Sequence, residues 1–362
     1  MLNLSSLLNK FKNKINVHPH EEGPKENRRE VGMPIEPQEP VKDEFPNKEQ
    51  NQKPAPLSSQ LEKRLKIVIE HTVNPLYLEL GAGVKDLYSA DLDKSLDAFD
   101  KVNSLLEKTV DAILADADEL ILESLSEYPQ GQEPFYFHVA NVCIISAVIG
   151  QGAGYERASL IELITAAFLH DIGMKHDKAL QDSGVYSEKD FESVKKHPVI
   201  AAEILAAFRK RLGQKVIEAV LQEHERVDGS GYPMGLKDGQ INEYAQIIGL
   251  ADMYEACMHK RPYRAKYTSL ESIKIILKNK KIFSARLVKI LIEKFGIFPI
   301  GTLVRLNTKE VGVVISANQN APARPVVNII SDSYGKELKQ PKIMNLAEAS
   351  VNYIDDCVKE HV

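Results

Sequence analysis

The sequence predicts an all-α helical bundle with a small C-terminal antiparallel β appendage, and three observations carry that prediction. Apolar residues from Leu61 to Tyr128, and again from Phe135 to Phe295, recur at about 3.6-residue spacing in runs joined by short loops. Alternating strand patterning is nearly absent over the same stretch. At Ile297 the pattern changes to β-branched runs separated by turn-forming residues.

The elements follow in order. Met1, Leu4, Leu7, Leu8, Phe11 and Ile15 recur at helical spacing with Lys10, Lys12 and Lys14 between them. This is a short amphipathic segment for a protein partner or a membrane surface, or a tail that folds only on contact. From His18 to Pro56 the chain is rich in Pro, Glu, Lys, Asn and Gln and poor in large apolar residues, so it reads as a disordered linker. Residues 57–100 read as a helical connector, although Leu76 to Tyr88 carries no clear period. The bundle itself spans 101–296. Leu96, Phe99, Val102, Leu105, Leu106, Val110, Ile113 and Leu114 give its first stripe. The runs Phe137–Ile149, Leu160–His170, Glu188–Leu212, Lys215–Val227, Glu243–Met258, Leu270–Lys278 and Ser284–Phe295 supply the rest. The appendage, 297–362, holds three expected strands, Thr302–Leu306, Gly312–Ala317 and Pro325–Ser331, and a closing helix over Asn345 to Val362.

Composition narrows the class. With 362 residues, 43% hydrophobic and 27% charged, the chain is neither wholly disordered nor fibrous. A net charge of −5 provides no basic field for nucleic acid. Three scattered cysteines, Cys143, Cys257 and Cys357, make neither a disulfide framework nor a thiolate metal site, which points to a reducing compartment. The longest apolar run, Val139 to Ile149, is too short to span a bilayer, and the N-terminus lacks a signal peptide's apolar core. The expectation is a cytoplasmic protein with no transmembrane span and no nucleic-acid partner; a homodimer and protein partners through the N-terminal region remain open.

The chemistry is carried by ionisable residues on apolar faces. His138 shares a stripe with Asn141, Val142, Ile145 and Ile149; His170 and Asp171 end an apolar helix; His197 lies with Ala201, Ile204 and Leu205. Glu223 and His224 follow Val216, Val220 and Leu221, and Asp252 follows Ile247, Ile248 and Ala251. One inward histidine is ordinary, but several inward ionisable groups on separate helices need a common partner, because burying each unpaired costs several kcal/mol. Imidazoles with carboxylates and no thiolate suit Fe, Mn, Zn, Co or Ni, and an adjacent His-Asp can serve two metals through a bridging carboxylate.

In their order, His138, His170-Asp171, His197 and Asp252 resemble the HD phosphohydrolase superfamily. The run His224-Glu225-Arg226-Val227-Asp228-Gly229-Ser230-Gly231-Tyr232-Pro233 is similar to the signature of its HD-GYP branch. Ala251-Asp252-Met253-Tyr254 and Arg261-Pro262-Tyr263-Arg264 match as well, and the resemblance covers about Lys101 to Phe295. It implies an HD-type bundle acting as a metal-dependent phosphodiesterase on cyclic di-GMP or a related cyclic dinucleotide, giving linear pGpG, GMP or both. It further implies two divalent ions, Fe or Mn first, held by His138, His170, Asp171, His197, His224 and Asp252, with His170 and Asp171 catalytic. Gly231 and Tyr232 would lie beside the substrate, and Arg261 and Arg264 would hold its phosphates. For Asp228 the favoured role is a cap on the glycine turn.

Three departures stand out. Glu223 takes the place of a histidine, and as a hard ligand it completes the metal set or leaves it altered. Met174 stands where a lysine is usual, with Lys175 one place on, turned by about 100° on a helix. Pro134 replaces a glutamate four residues before His138, with Glu133 adjacent, which favours two metals over three. Met174 and Glu223 also admit a degenerate domain that binds metal or nucleotide and signals through partners.

Overall fold

The structure is a computed structural model that describes residues 68, 72–90, 95–174, 194–261 and 264–358. The N-terminal amphipathic segment, the linker to Pro56, Lys175, Pro262, Tyr263 and the first residues of the run from Glu188 lie outside the described residues.

Helix α1 (Pro75–Ser89) begins where Asn74 accepts the Leu76 N–H at 2.8 Å and Pro75 fixes the first turn. It fills the stretch in which the sequence shows no clear period. Then come α2 (Ser95–Ala115), α3 (Asp118–Leu125), α4 (Pro134–Gly152) and α5 (Arg157–Leu169), followed by a 3-10 turn at Ile172–Met174. Helices α6 (His197–Ala206), α7 (Arg209–Leu212), α8 (Gln214–Gln222), α9 (Glu243–Met258), α10 (Ser269–Lys278) and α11 (Ala285–Phe295) complete the bundle. Asn242 caps α9, and Thr268 with Glu271 forms a reciprocal capping box on α10.

Helix α4 is the axis of the bundle, with α1, α2, α3, α5, α9 and α11 packed around it. It is longer than the run read from sequence. At 19 residues it has the length and composition to cross a membrane, but 78% of its apolar window is buried among the other helices. A helix apolar on every side is buried on every side, here by protein.

The C-terminal part is a five-stranded sheet of order β4-β3-β2-β1-β5, antiparallel throughout. The strands are β1 (Leu303–Leu306), β2 (Val311–Ser316), β3 (Val326–Ser331), β4 (Glu337–Asn345) and β5 (Ile354–Cys357). The first three are those expected. The closing helix from Asn345 is not formed: Asn345 ends β4, its side chain accepts the Ala347 N–H, and β5 pairs with β1 through Val304–Cys357 and Arg305–Asp356. Pairing beside β1 buries Cys357 and packs Ile354 against the cluster of buried residues that includes Val304, Leu306 and Val327, and that tertiary gain overrides local helix preference.

Candidate metal centre

Every ligand position comes from a helix end or an inward helix face. His138 lies in the second turn of α4, His170 and Asp171 directly follow α5, and His197 opens α6. The sequence pattern carries α8 to Val227, but the helix ends at Gln222, so Glu223 and His224 occupy the turn that leaves it. Asp252 projects from the middle of α9. The 3-10 turn after Asp171 lies directly on the start of α6, where a Cβ on Gly173 would collide with the His197 carbonyl oxygen. The missing side chain lets the His170-Asp171 corner approach His197.

Asp171 stands between two groups of donors. Its Oδ2 is 3.4 Å from His170 Nε2 and 3.8 Å from His138 Nε2, while its Oδ1 is 3.3 Å from His197 Nε2. Asp252 Oδ1 is 3.4 Å from His138 Nε2. On the far side, Glu223 Oε1 is 3.2 Å from His197 Nε2 and 3.9 Å from His224 Nε2. His138, His170 and Asp171 thus form one potential ligand group, and His197, Glu223 and His224 form another. Each oxygen of Asp171 faces one of them.

The rings are oriented from outside. His170 Nδ1 lies 2.7 Å from the Ala167 carbonyl, and His197 Nδ1 lies 2.7 Å from the Val194 carbonyl. His138 Nδ1 lies 2.6 Å from Glu255 Oε2. Carbonyl and carboxylate oxygens only accept, so each Nδ1 donates and each Nε2 presents its lone pair inward when the ring is neutral.

The electrostatics fit a cation. His170 Nε2 and Glu223 Oε2 are buried with no hydrogen-bond partner, an arrangement that costs roughly 1–3 kcal/mol per group unless an ion meets them. Burial opposes a proton on His170, but the charges of Asp171, Glu223 and Asp252 outweigh it and push its pKa up to about 9. His197 is raised for the same reasons, burial again opposing and Glu223 and Asp171 prevailing. Burial pushes His224 well below its ordinary value, aided by His197 and Arg226, which leaves it neutral and ready to ligate. Burial also raises Glu223, against the pull of His170 and His197. A pocket of three carboxylates that draws protons onto His170 and His197 is suited to exchange them for metal ions.

The substrate candidates divide. Tyr232 stacks on His224, with ring centroids 4.7 Å apart, and its N–H donates to the His224 carbonyl, so it lies directly against the second group. A Cβ on Gly231 would strike the His224 carbonyl oxygen and the Arg226 amide, which gives that glycine a packing role. Glu225 accepts the Met234 and Leu236 amides, and Asp228 accepts the Ser230 N–H and hydroxyl, so both shape the loop. Arg261 donates to Glu255 at 2.9 Å, directly behind His138. Arg264 donates to the Ala256, Cys257 and Ala265 carbonyls and lies over the Tyr267 ring, which ties it to the end of α9. Met174 is buried in the 3-10 turn, and Glu133 is exposed ahead of α4.

Sequence reading missed the layer behind His138. Glu255 is fully buried and takes bonds from His138, Arg261, Tyr128 (2.6 Å) and Asn141 (3.3 Å), with His259 Nδ1 3.1 Å away. Burial opposes its ionisation, yet His138, His259 and Arg261 hold its carboxyl well below the usual range. The available signal was its position three residues after Asp252, one turn along the same face.

Residues 108–286 match the HD domain family, and residues 303–361 match the KOW domain associated with HD domains. A cyclic di-GMP phosphodiesterase of Pseudomonas aeruginosa is 28% identical over 230 residues, which is 63% of this chain and 55% of that protein. One from Thermotoga maritima is 34% identical over 168 residues, 44% of this chain and 45% of that one. A 3'3'-cGAMP-specific phosphodiesterase of Vibrio cholerae is 28% identical over 164 residues, 44% and 31% of the two chains. The chain thus spans about half the length, or less, of these curated relatives. Among solved structures, an HDG"Y"P protein of Bdellovibrio bacteriovorus shares the fold at a TM-score of 0.52 and 18% identity, covering 64% of this chain and 75% of that one.

Proposed function

We propose that this chain, an HD-domain protein that also carries the associated KOW domain, is a metal-dependent phosphodiesterase of cyclic dinucleotides. Cyclic di-GMP is its first candidate substrate and a mixed dinucleotide such as 3'3'-cGAMP its second, after the activities for which its relatives are named. The observation that carries the reading is Asp171, whose two oxygens face two separate groups of imidazole and carboxylate donors. His138, His170, Asp171 and Asp252 would hold one divalent ion, and Asp171, His197, Glu223 and His224 the other, Fe or Mn being favoured by the donor set. Such a pair would supply an activated water and positive charge for the scissile phosphate.

The chain's own residues do the rest. Asp171 ties the two groups together, and His170, locked by the Ala167 carbonyl, keeps its free nitrogen aimed inward; these two take the catalytic roles. Tyr232 offers a flat face beside His224, suited to position a nucleotide at the entrance. Arg261 adds a guanidinium on the His138 side, 25% exposed and so able to meet a phosphate while bonded to Glu255. The cytoplasm is the compartment this reading assigns.

The test is hydrolysis of cyclic di-GMP and 3'3'-cGAMP by protein loaded with Mn(II) or Fe(II) under exclusion of oxygen. Release of pGpG, its mixed counterpart or mononucleotides supports the proposal. Tight nucleotide binding without turnover in either metal overturns it in favour of a binding domain.

A further inference from the structure

Helix α1 lies before the segment that matches the HD domain, yet it reaches the back of the metal centre at two points. Near its start, the Tyr77 hydroxyl donates to Asn141 Oδ1 at 2.8 Å. Asn141 in turn donates to Glu255, whose other oxygen is bonded to His138. Near its end, the Tyr88 hydroxyl donates to the Phe168 carbonyl at 2.9 Å, two residues before His170. Both tyrosines are almost fully buried, at 1% and 4% exposure. Their rings pack edge-on against Phe137, which immediately precedes His138, and Phe135, two residues earlier in the first turn of α4. Gly81 allows the close approach, since a Cβ there would lie 2.5 Å from the Phe137 ring.

We propose that Tyr77 and Tyr88 of α1 are positioning residues of the metal centre, fixing His138 through Asn141 and Glu255 and the His170-Asp171 corner through the Phe168 backbone. A helix held only by apolar packing needs no buried hydroxyls. Here one ends on the Asn141–Glu255 chain behind His138, and the other on the Phe168 carbonyl, two residues before His170. The consequence is that the working unit begins near Pro75, and a change that shifts α1 changes how the site holds metal.

This rests on the metal-centre reading, and the test separates the two. Full-length wild type, Tyr77→Phe, Tyr88→Phe and the exposed-site control Leu78→Ala are titrated with Mn(II) against a competing chelator. Melting of the metal-free forms is recorded alongside. Each Phe variant keeps its ring and loses only the hydroxyl. We expect Mn(II) affinity to fall about tenfold in each, the lower end of the range for outer-shell partners, with Leu78→Ala unchanged. Tyr77→Phe, Asn141→Ala and the double variant should lose similar amounts, because both residues act through one chain of bonds. Wild-type affinity in both Phe variants overturns the inference alone. So does a loss in the Phe variants that Leu78→Ala matches at equal loss of melting temperature, since that marks general destabilisation. Failure of the wild type to bind Mn(II) overturns the metal-centre reading and this inference together.

Discussion

Glu255 holds His138 from behind: its Oε2 lies 2.6 Å from His138 Nδ1, while Asp252, one turn earlier on α9, presents Oδ1 3.4 Å from His138 Nε2. One helix therefore supplies both a candidate ligand and the group that orients a second ligand on α4. Carboxylate backing of this kind fixes the ring's tautomer and raises its basicity as a ligand.

Glu255→Gln tests that relationship at nearly constant volume. The amide carries no charge and can turn a donor toward His138, so Mn(II) affinity should fall between about tenfold and a hundredfold. Competition with a chelator measures it, and the circular dichroism of the helices should be unchanged. Unaltered affinity would show that the 2.6 Å contact is structural only.

Glu223 is the second test, since it stands where the resemblance leads one to expect histidine and yet faces His197 with one oxygen unpartnered. Glu223→Gln should lower metal retention by about tenfold or more, roughly 1.4 kcal/mol, without unfolding the chain. Glu223→His should shift preference from Mn(II) toward softer ions such as Co(II) or Zn(II). Metal content by elemental analysis, with rates in each metal, distinguishes these outcomes from an inert position.

The metal-free protein should lose stability with rising pH in a way that the loaded one does not. Burial opposes protonation of His170, but the surrounding carboxylates raise its pKa from 6.5 to about 9, and His197 is raised as well. A raised folded-state value contributes stability that is fully present below about pH 6.5 and lost as pH rises through 9. Chelated protein should therefore melt at lower temperature at pH 9 than at pH 6.5. Saturating Mn(II), which needs deprotonated ligands, should flatten or reverse the trend. A melting temperature of the chelated form that climbs over this window would contradict the electrostatics.

Much of the candidate site is legible in the sequence because its candidate ligands sit at helix ends and on apolar faces, where an ionisable residue breaks the pattern. His138, His170, Asp171, His197 and Asp252 stand out in this way. The layer behind them is harder to read. Tyr77, Tyr128 and His259 are ordinary amphipathic residues in sequence, and only folding shows that they meet at Glu255 or one bond away from it. The sheet shows a similar divide. β1 to β3 carry β-branched runs, whereas β4 is a Lys- and Gln-containing edge strand interrupted by Pro341, and β5 is defined by its partner β1 rather than by its own four residues. Arg264 matches a motif, and its placement against the α9 carbonyls follows from a turn that the motif does not describe.

The most direct test of the account is metal stoichiometry in wild type and Asp171→Ala, both purified without oxygen, with cyclic di-GMP hydrolysis measured on the same samples. Because Asp171 faces both donor groups, two bound ions and turnover are expected in the wild type, and loss of metal and of all turnover in Asp171→Ala with helicity retained. Full metal occupancy in Asp171→Ala would contradict it.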